Sequence, residues 1–307
     1  MPRALVLEGT RQLRLVEQRS APLLAGEVRL RSRLSGISHG TELSLYRGTS
    51  AFTDKVFDRG LRAFVSPHAG SASTYPLVVL PTDERLERAL FISLSAVALQ
   101  AVHDAEIKLG DAVSVHGLGA IGLMAVQMCQ LEGIQNVFAV DPDPRRRDLA
   151  TKFGATDVLD PTAEEPVGLQ VRDRNHGRGV DVAIDVSGAD RGLQDALAAA
   201  GLGATVVAAG FYQGGAAHLH LGEEFHHNRL SLIASIGGWG TPDRHAPLWN
   251  RRRVLDVATR LLYTDRVSVE GLLTRTFPFD RAPEAYAWLD EHPHEAVKVA
   301  LYYGGSP

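Results

Sequence analysis

The 307-residue chain has a single cysteine, Cys129. One thiol excludes an internal disulfide and any zinc lobe built from four cysteines; its place in an apolar segment predicts a buried, packing role. Lysine is nearly as scarce: Lys55, Lys108, Lys152 and Lys298 are the only copies among 32 lysines and arginines. A net charge of −4 leaves no basic excess for nucleic acid or an anionic membrane surface. No apolar run approaches ~20 residues, and Met1–Glu8 lacks the basic-then-apolar order of a secretion signal. A cytoplasmic protein with a small-molecule substrate, and neither a membrane nor a nucleic-acid partner, is the expectation. What the chain does have is apolar mass: 45% of its residues are hydrophobic, enough for two cores.

The most specific stretch is Val113-Ser114-Val115-His116-Gly117-Leu118-Gly119-Ala120-Ile121-Gly122. A short β-branched strand runs into G-x-G-x-x-G, and an apolar helix follows at once. In such a turn Gly117 permits the tight reversal, Gly119 lets the backbone approach a pyrophosphate, and Gly122 lets the helix pack closely. The first N–H groups of the helix lack intrahelical partners and suit a phosphate. A second strand, Asn136–Val140, ends in Asp141, whose carboxylate can take both ribose hydroxyls of an adenosine. A glycine-rich turn without a ligand is the competing reading, and the register of strand, glycines, helix, strand and acid argues against it.

Strands are expected at 113–116, 136–140, 181–186, 204–209 and 230–236, alternating with helices near 121–132, 144–153, 165–175 and 189–200. That is the pattern of a doubly wound α/β domain, with ligands beyond the carboxyl ends of its strands. The candidate cofactor contacts are therefore Gly117, Leu118, Gly119, Ala120, Ile121, Gly122, Asp141, Arg146, Ser187, Gly188, Gly210, Phe211 and Ile236. Upstream, Ala4–Leu7, Leu13–Val16, Glu27–Ser32 and Leu77–Pro81 read as strands, and Arg85–Glu106 as a long helix. Trp249–Tyr263 and Asp280–Asp290 read as helices, and Ala296–Tyr303 as a last strand.

The order of parts resembles the medium-chain dehydrogenase/reductase superfamily. The residues that carry the likeness are Ser35-Gly36-Ile37-Ser38-His39-Gly40-Thr41-Glu42, Gly110-Asp111-Ala112-Val113, Gly154-Ala155-Thr156-Asp157 and Gly179–Gly188. Gly40-Thr41-Glu42 with Tyr46-Arg47-Gly48, and Gly222–Arg229, narrow it to the bacteriochlorophyllide a dehydrogenase-like subgroup. The resemblance implies a Rossmann domain over 98–240 and a GroES-like β-barrel domain over 1–97 plus 241–307. It also implies a homodimer joined through edge strands near Leu230–Ile236. The departures are specific. The family's zinc-binding cysteine is replaced by Ser38, no Gly-His-Glu occurs anywhere, and the barrel segment that should carry it is missing between about Val65 and Ser66. Neutral serine is a poor zinc ligand, so the expectation is a shortened barrel and no zinc.

In relatives the loop holding His39, Thr41, Glu42 and Tyr46 faces the nicotinamide. Ser38, His39, Thr41, Glu42 and Tyr46 are thus the candidates for proton transfer to a substrate oxygen, His39 first because imidazole titrates near neutral pH. The competing role is a hydrogen-bonded loop, with Glu42 paired to Arg47 or to an arginine on the cofactor side. Pro67-His68 follows the missing segment. His226-His227 precedes a strand, where neighbouring side chains point to opposite faces, which disfavours a twin-histidine metal site. Arg145-Arg146-Arg147 could hold a 2′-phosphate, but Asp141 would repel it, so NAD is expected over NADP. Three functions stay open: a zinc-independent oxidoreductase acting on a carbonyl or secondary alcohol; a non-redox cyclase, lyase or dehydratase on a dehydrogenase scaffold; and a nucleotide-binding protein without catalysis.

Overall fold

The computed structural model describes residues 2–19, 22–26, 29–50, 52, 56–58, 63–65, 79–82, 84–236 and 248–304. The chain forms two units, Met1–Tyr75 with Leu272–Pro307, and Pro76–Gly271.

The first unit opens with a hairpin of β1 (Arg3–Gly9) and β2 (Gln12–Glu17). Then come β3 (Leu34–Gly36), the two-turn helix α1 (Thr41–Arg47), and a second hairpin of β4 (Val56–Asp58) and β5 (Ala63–Val65). The second unit begins with a 3-10 turn, Leu86–Phe91, that runs into α2 (Ile92–Asp104). It continues through β6 (Ala112–His116), α3 (Ala120–Leu131), β7 (Asn136–Val140), α4 (Pro144–Lys152), β8 (Asp157–Leu159) and α5 (Val167–Arg174). After these come β9 (Val180–Asp185), α6 (Asp190–Ala199), β10 (Ala200–Ala208), α7 (Glu224–His227), β11 (Ser231–Ala234) and α8 (Arg251–Tyr263). The chain then returns to the first unit with β12 (Leu273–Pro278), α9 (Ala282–Glu291) and β13 (Lys298–Tyr302).

In the second unit six strands pair in parallel in the order β11-β10-β9-β6-β7-β8. The order reverses between β6 and β9, which is where a doubly wound sheet leaves a crevice for ligands. All five positions of β6 are buried, as a central parallel strand covered on both faces requires. Phe138, Leu159, Val171, Leu197 and Val206 fill one core cluster. Each such side chain contributes roughly 1.5–3 kcal/mol by leaving water. The strands and helices expected over 85–236 and 249–263 are all present. One strand went unread: β8 spans three residues, too few for a periodic signal.

In the first unit β12 and β13 pair in parallel, and β13 pairs antiparallel with β3. Ile37, Leu43, Tyr46, Phe277, Tyr286 and Leu301 share its core. Of the strand expected at Glu27–Ser32, Glu27 and Val28 lie outside the described residues and 29–32 are not strand; pairing with β13 begins at Leu34. In the second unit Val79 and Leu80 are likewise not strand, while Leu77 and Val78 lie outside the described residues. Pro67-His68 also lies outside them.

One further expectation changes. Leu86–Asp104 is long and apolar enough, by length and composition alone, to cross a membrane. Half of it is buried within the protein, and α2 packs on α3 and α8 as a core helix of the unit Pro76–Gly271.

Candidate functional site: a glycine turn and a polar loop

The glycine turn follows from three backbone demands. Gly117 sits at φ +88°, and a Cβ there would lie 2.7 Å from the Ser187 backbone. A Cβ on Gly122 would lie 1.9 Å from the Gly117 carbonyl oxygen, so the helix start and the turn are in direct backbone contact. Gly119 differs: a Cβ there would meet nothing within 4 Å, so its face is open. No side chain caps α3, whose N-cap is Gly119, and the helix's first amides carry its positive dipole end. An open glycine beside uncapped amides is the cradle that a pyrophosphate needs, so these residues fit a dinucleotide.

Asp141 is 4% exposed at the end of β7. One carboxylate oxygen accepts from Leu118 N at 2.7 Å and the other from Asp143 N at 2.8 Å. The acid therefore fastens the glycine turn to the end of β7. Arg146 lies over this acidic corner, 3.8 Å from Asp141 and 4.0 Å from Asp143. Asp143 caps α4 by accepting from Arg145 N at 2.9 Å.

Beyond β9 and β10 the turns Ser187-Gly188 and Gly210-Phe211 touch. A Cβ on Gly210 would lie 2.5 Å from Gly188 N. Asp185 holds both turns: its carboxylate accepts from Ser187 N at 3.3 Å and from the Tyr212 hydroxyl. Burial pushes the Asp185 carboxyl up to about 6, and burial does the same for Asp195. Burial also raises the Tyr212 phenol well above its ordinary range. Phe211 and Ile236 are exposed.

In the first unit Ser38–Tyr46 is the end of β3 turning into α1. Ser38 N donates to Glu42, Thr41 N donates to Ser38 Oγ at 3.2 Å, and Leu43 N to the Ser38 carbonyl at 3.1 Å. Ser38 and His39 are half-buried, and Thr41 and Glu42 are exposed. Tyr46 is placed differently from the other candidates: it is 6% exposed in the core, its ring 5.6 Å from that of Tyr286. Arg47 pairs with Asp290 and leaves Glu42 to Ser38, so the expected Glu42–Arg47 pair is not made. One neighbour was missed in the sequence. Lys298 on β13, 5% exposed, donates from Nζ to the Ile37 carbonyl at 2.8 Å. Burial lowers its ammonium to about 8, and Glu42 opposes that shift. The scarcity of lysine was the signal available for it.

These residues do not fit a catalytic zinc. Ser38 offers a neutral hydroxyl, and Glu42 is turned onto the Ser38 amide beside a buried ammonium ion. Among the described residues no group of three or more His, Cys, Asp and Glu side chains is arranged to hold a metal. His226 and His227 lie on the short helix α7 rather than on an extended segment, with rings 5.4 Å apart. Cys129 is buried, and burial pushes its thiol up to about 12. A cavity of about 650 Å³ at the start of α8, lined by Trp249, Arg252, Arg253 and Arg260, shares no residue with the glycine turn.

Residues 120–250 match the family model described as zinc-binding dehydrogenase. The D-guloside 3-dehydrogenase of Escherichia coli is 27% identical over 349 aligned positions, covering 97% of this chain and 99% of that protein. Over residues 120–250 the chain is similar to zinc-binding dehydrogenases, and its relatives make it an alcohol dehydrogenase-like oxidoreductase. The alignment is about 50 positions longer than the stretch of this chain it covers. The (R,R)-butanediol dehydrogenase of Bacillus subtilis is 32% identical over 46% of this chain and 40% of its own length. The fold matches the crystal structure of galactitol-1-phosphate dehydrogenase from Escherichia coli with a TM-score of 0.77, over 98% of this chain and 100% of that one, at 20% identity.

Proposed function

We propose that the protein is a zinc-independent, NAD-dependent oxidoreductase that interconverts a secondary alcohol and a carbonyl. The observation that carries this reading is the glycine turn: Gly119 faces open space at the uncapped start of α3, and Leu118 is tied to Asp141. The nicotinamide supplies or accepts the hydride when it is bound. The glycine turn and the α3 amides hold the pyrophosphate, and Asp141 takes the adenosine ribose. Arg146 lies against Asp141 and Asp143, and a 2′-phosphate would meet their negative charge, which supports NAD over NADP.

Without a metal, a hydrogen-bond donor must stabilise the substrate oxygen. Ser38, His39 and Thr41 offer donors; His39 moves the proton and Glu42 orders the loop through the Ser38 amide. Tyr46, in the core, is the last candidate. The D-guloside 3-dehydrogenase relative makes a ring hydroxyl of a sugar the first substrate class to try. The protein is cytoplasmic in this reading, and β11, at the sheet edge, pairs with its copy in a homodimer.

The test is absorbance of reduced nicotinamide with NAD and a panel of glycosides, polyols and simple secondary alcohols, alongside elemental analysis. Turnover with well under one zinc per chain supports the proposal. NAD binding without turnover on any alcohol or carbonyl overturns the redox assignment. Stoichiometric zinc, lost together with activity on chelation, overturns the zinc independence.

A further inference from the structure

Lys298 is out of place for an ordinary surface lysine. Lys108 and Lys152 are exposed, while Lys298 is buried on β13. Arginine fills nearly every other cationic position of this chain, yet the one deeply buried cation of β13 is a lysine. Arginine stays charged in any protein environment, whereas a buried lysine can lose its proton. An ammonium ion taken out of water also needs acceptors. Lys298 has two features of the same segment to answer to: the Ile37 carbonyl, 2.8 Å from Nζ, and the Glu42 carboxylate, whose charge acts on it. Glu42 in turn accepts from Ser38 N. The segment between them, Ile37 to Glu42, carries every hydroxyl and imidazole assigned above to proton transfer apart from Tyr46.

We propose that Lys298 is a positioning residue for the Ile37–Glu42 segment, its charge fixing the Ile37 carbonyl directly and the Ser38 amide through Glu42. The proposal rests on the reading of that segment as the proton-transfer loop for its functional meaning, but not for its test. The titratable groups gathered here are His39 and Glu42 of the segment itself, Tyr286 on α9 and Tyr303 just past β13; Glu42 is the one acid among them, and Tyr303 is engaged with Ser35 Oγ at 3.0 Å. The Tyr286 phenol is raised by burial, so it stays neutral where Lys298 titrates. As pH rises through about 8, the ammonium ion loses its proton, the attraction to Glu42 goes, and the segment loosens.

Local and global consequences then have opposite signs. Because folding lowers the lysine's pKa from 10.5 to about 8, the unfolded chain binds more protons in that window, and this group makes global stability rise with pH. A lysine that merely fills space gives the global rise alone. A positioning lysine gives the global rise together with local loosening of 37–44.

The experiment is hydrogen exchange of the full-length protein, read on peptides from 37–44 and, as a control, from the glycine turn at 117–122, on both sides of pH 8. After correction for the intrinsic rate, protection of 37–44 is expected to fall about tenfold across pH 8, the scale of one lost charge-assisted hydrogen bond. Lys298→Met is expected to lack that protection at every pH, and Lys298→Arg to keep it without the step; the control peptides stay unchanged. Should Lys298→Met fail to fold, Lys298→Arg alone decides. Carbon-13 labelling of the four lysine ε-carbons adds an independent readout: one resonance titrates near 8 and disappears in Lys298→Arg. Equal protection of 37–44 in wild type and Lys298→Met, a pH step that survives in Lys298→Arg, or four lysines that all titrate normally would each overturn the proposal. None of these readouts needs a substrate, so an inactive protein with a Lys298-dependent step refutes only the oxidoreductase reading.

Discussion

The two units hold their candidate functional segments in different ways. In the second unit the glycine turn is shaped by backbone: Gly117 against Ser187, Gly122 against the Gly117 carbonyl, and one carboxylate, Asp141, tying Leu118 in place. In the first unit the segment Ile37–Glu42 is shaped by side chains, Glu42 on Ser38 N and Lys298 on the Ile37 carbonyl, the latter from a residue 261 positions away. A backbone-shaped site tolerates few residue types and leaves a motif. A side-chain network can be assembled from distant residues and leaves little trace in either segment.

If the contrast is real, chemistry and cofactor binding separate by unit. The largest effect is expected for His39→Ala. Loss of a general acid–base lowers turnover by roughly 10²–10⁴-fold, with NAD affinity by calorimetry nearly unchanged. A matching loss of NAD affinity would break the separation.

Next in size is a pair of substitutions within the glycine turn. Gly122→Ala pushes a Cβ into the Gly117 carbonyl, where no side chain can yield, and is expected to cost roughly 1–3 kcal/mol of stability together with NAD binding. Gly119→Ala meets nothing within 4 Å, so its melting temperature should match wild type while NAD affinity drops at least about tenfold. Undiminished NAD binding by Gly119→Ala would remove the turn from the cofactor site.

A third expectation sets pH dependence against burial in the second unit. His116, fully buried at the end of β6 with Nε2 2.9 Å from Ser114 Oγ, is lowered to about 3 by loss of water. Its folded pKa lies below the unfolded one, so its contribution is intact above pH 6.5 and is lost as pH falls toward 3. Asp185 and Asp195, raised to about 6, act in the opposite direction, losing their contribution as pH rises from 3.8 toward 6. The difference between wild type and His116→Gln isolates the histidine. In urea unfolding it should change by up to about 1.4 kcal/mol per pH unit below 6.5 and stay flat above.

The smallest effect sharpens the role of Asp141. Asp141→Asn keeps an oxygen for the Leu118 amide, sets its amide nitrogen against Asp143 N and removes the charge, so the preference for NAD over NADP should narrow severalfold at a cost of about 1–3 kcal/mol in stability. Asp141→Ala should also loosen the turn, since it removes the acceptor from a buried amide. An equal preference in wild type and Asp141→Asn would mean that charge repulsion does not select the cofactor.

How much was legible follows the same division. Val113–Gly122 and Asp141 were readable because strand period, glycine spacing and the acid fall within one βαβ unit. The strand expected at Glu27–Ser32 alternates in sequence but lies outside any pairing in residues 29–33, since β13 meets the chain only at Leu34–Gly36. His226-His227 looked extended because an apolar run follows, yet Glu223 ends a turn and α7 closes one helical turn before β11. Tyr46 stood among the loop candidates because it follows them in sequence; in α1 its ring packs against Tyr286 in the core, 6% exposed.

By itself, then, the sequence determined the parallel sheet, the glycine turn at the start of α3 and the absence of a four-cysteine lobe from this chain, because each depends on neighbours within a few dozen residues or on residue counts alone. Only the tertiary structure decided that α2 and α8 pack in the same unit as the parallel sheet, that the Tyr212 hydroxyl reaches the Asp185 carboxylate, and that Lys298 stands behind the Ile37–Glu42 segment. The α2–α8 and Lys298–Ile37 pairings join residues that the chain keeps far apart, and Asp185 with Tyr212, 27 positions apart, follows no motif spacing that would announce it.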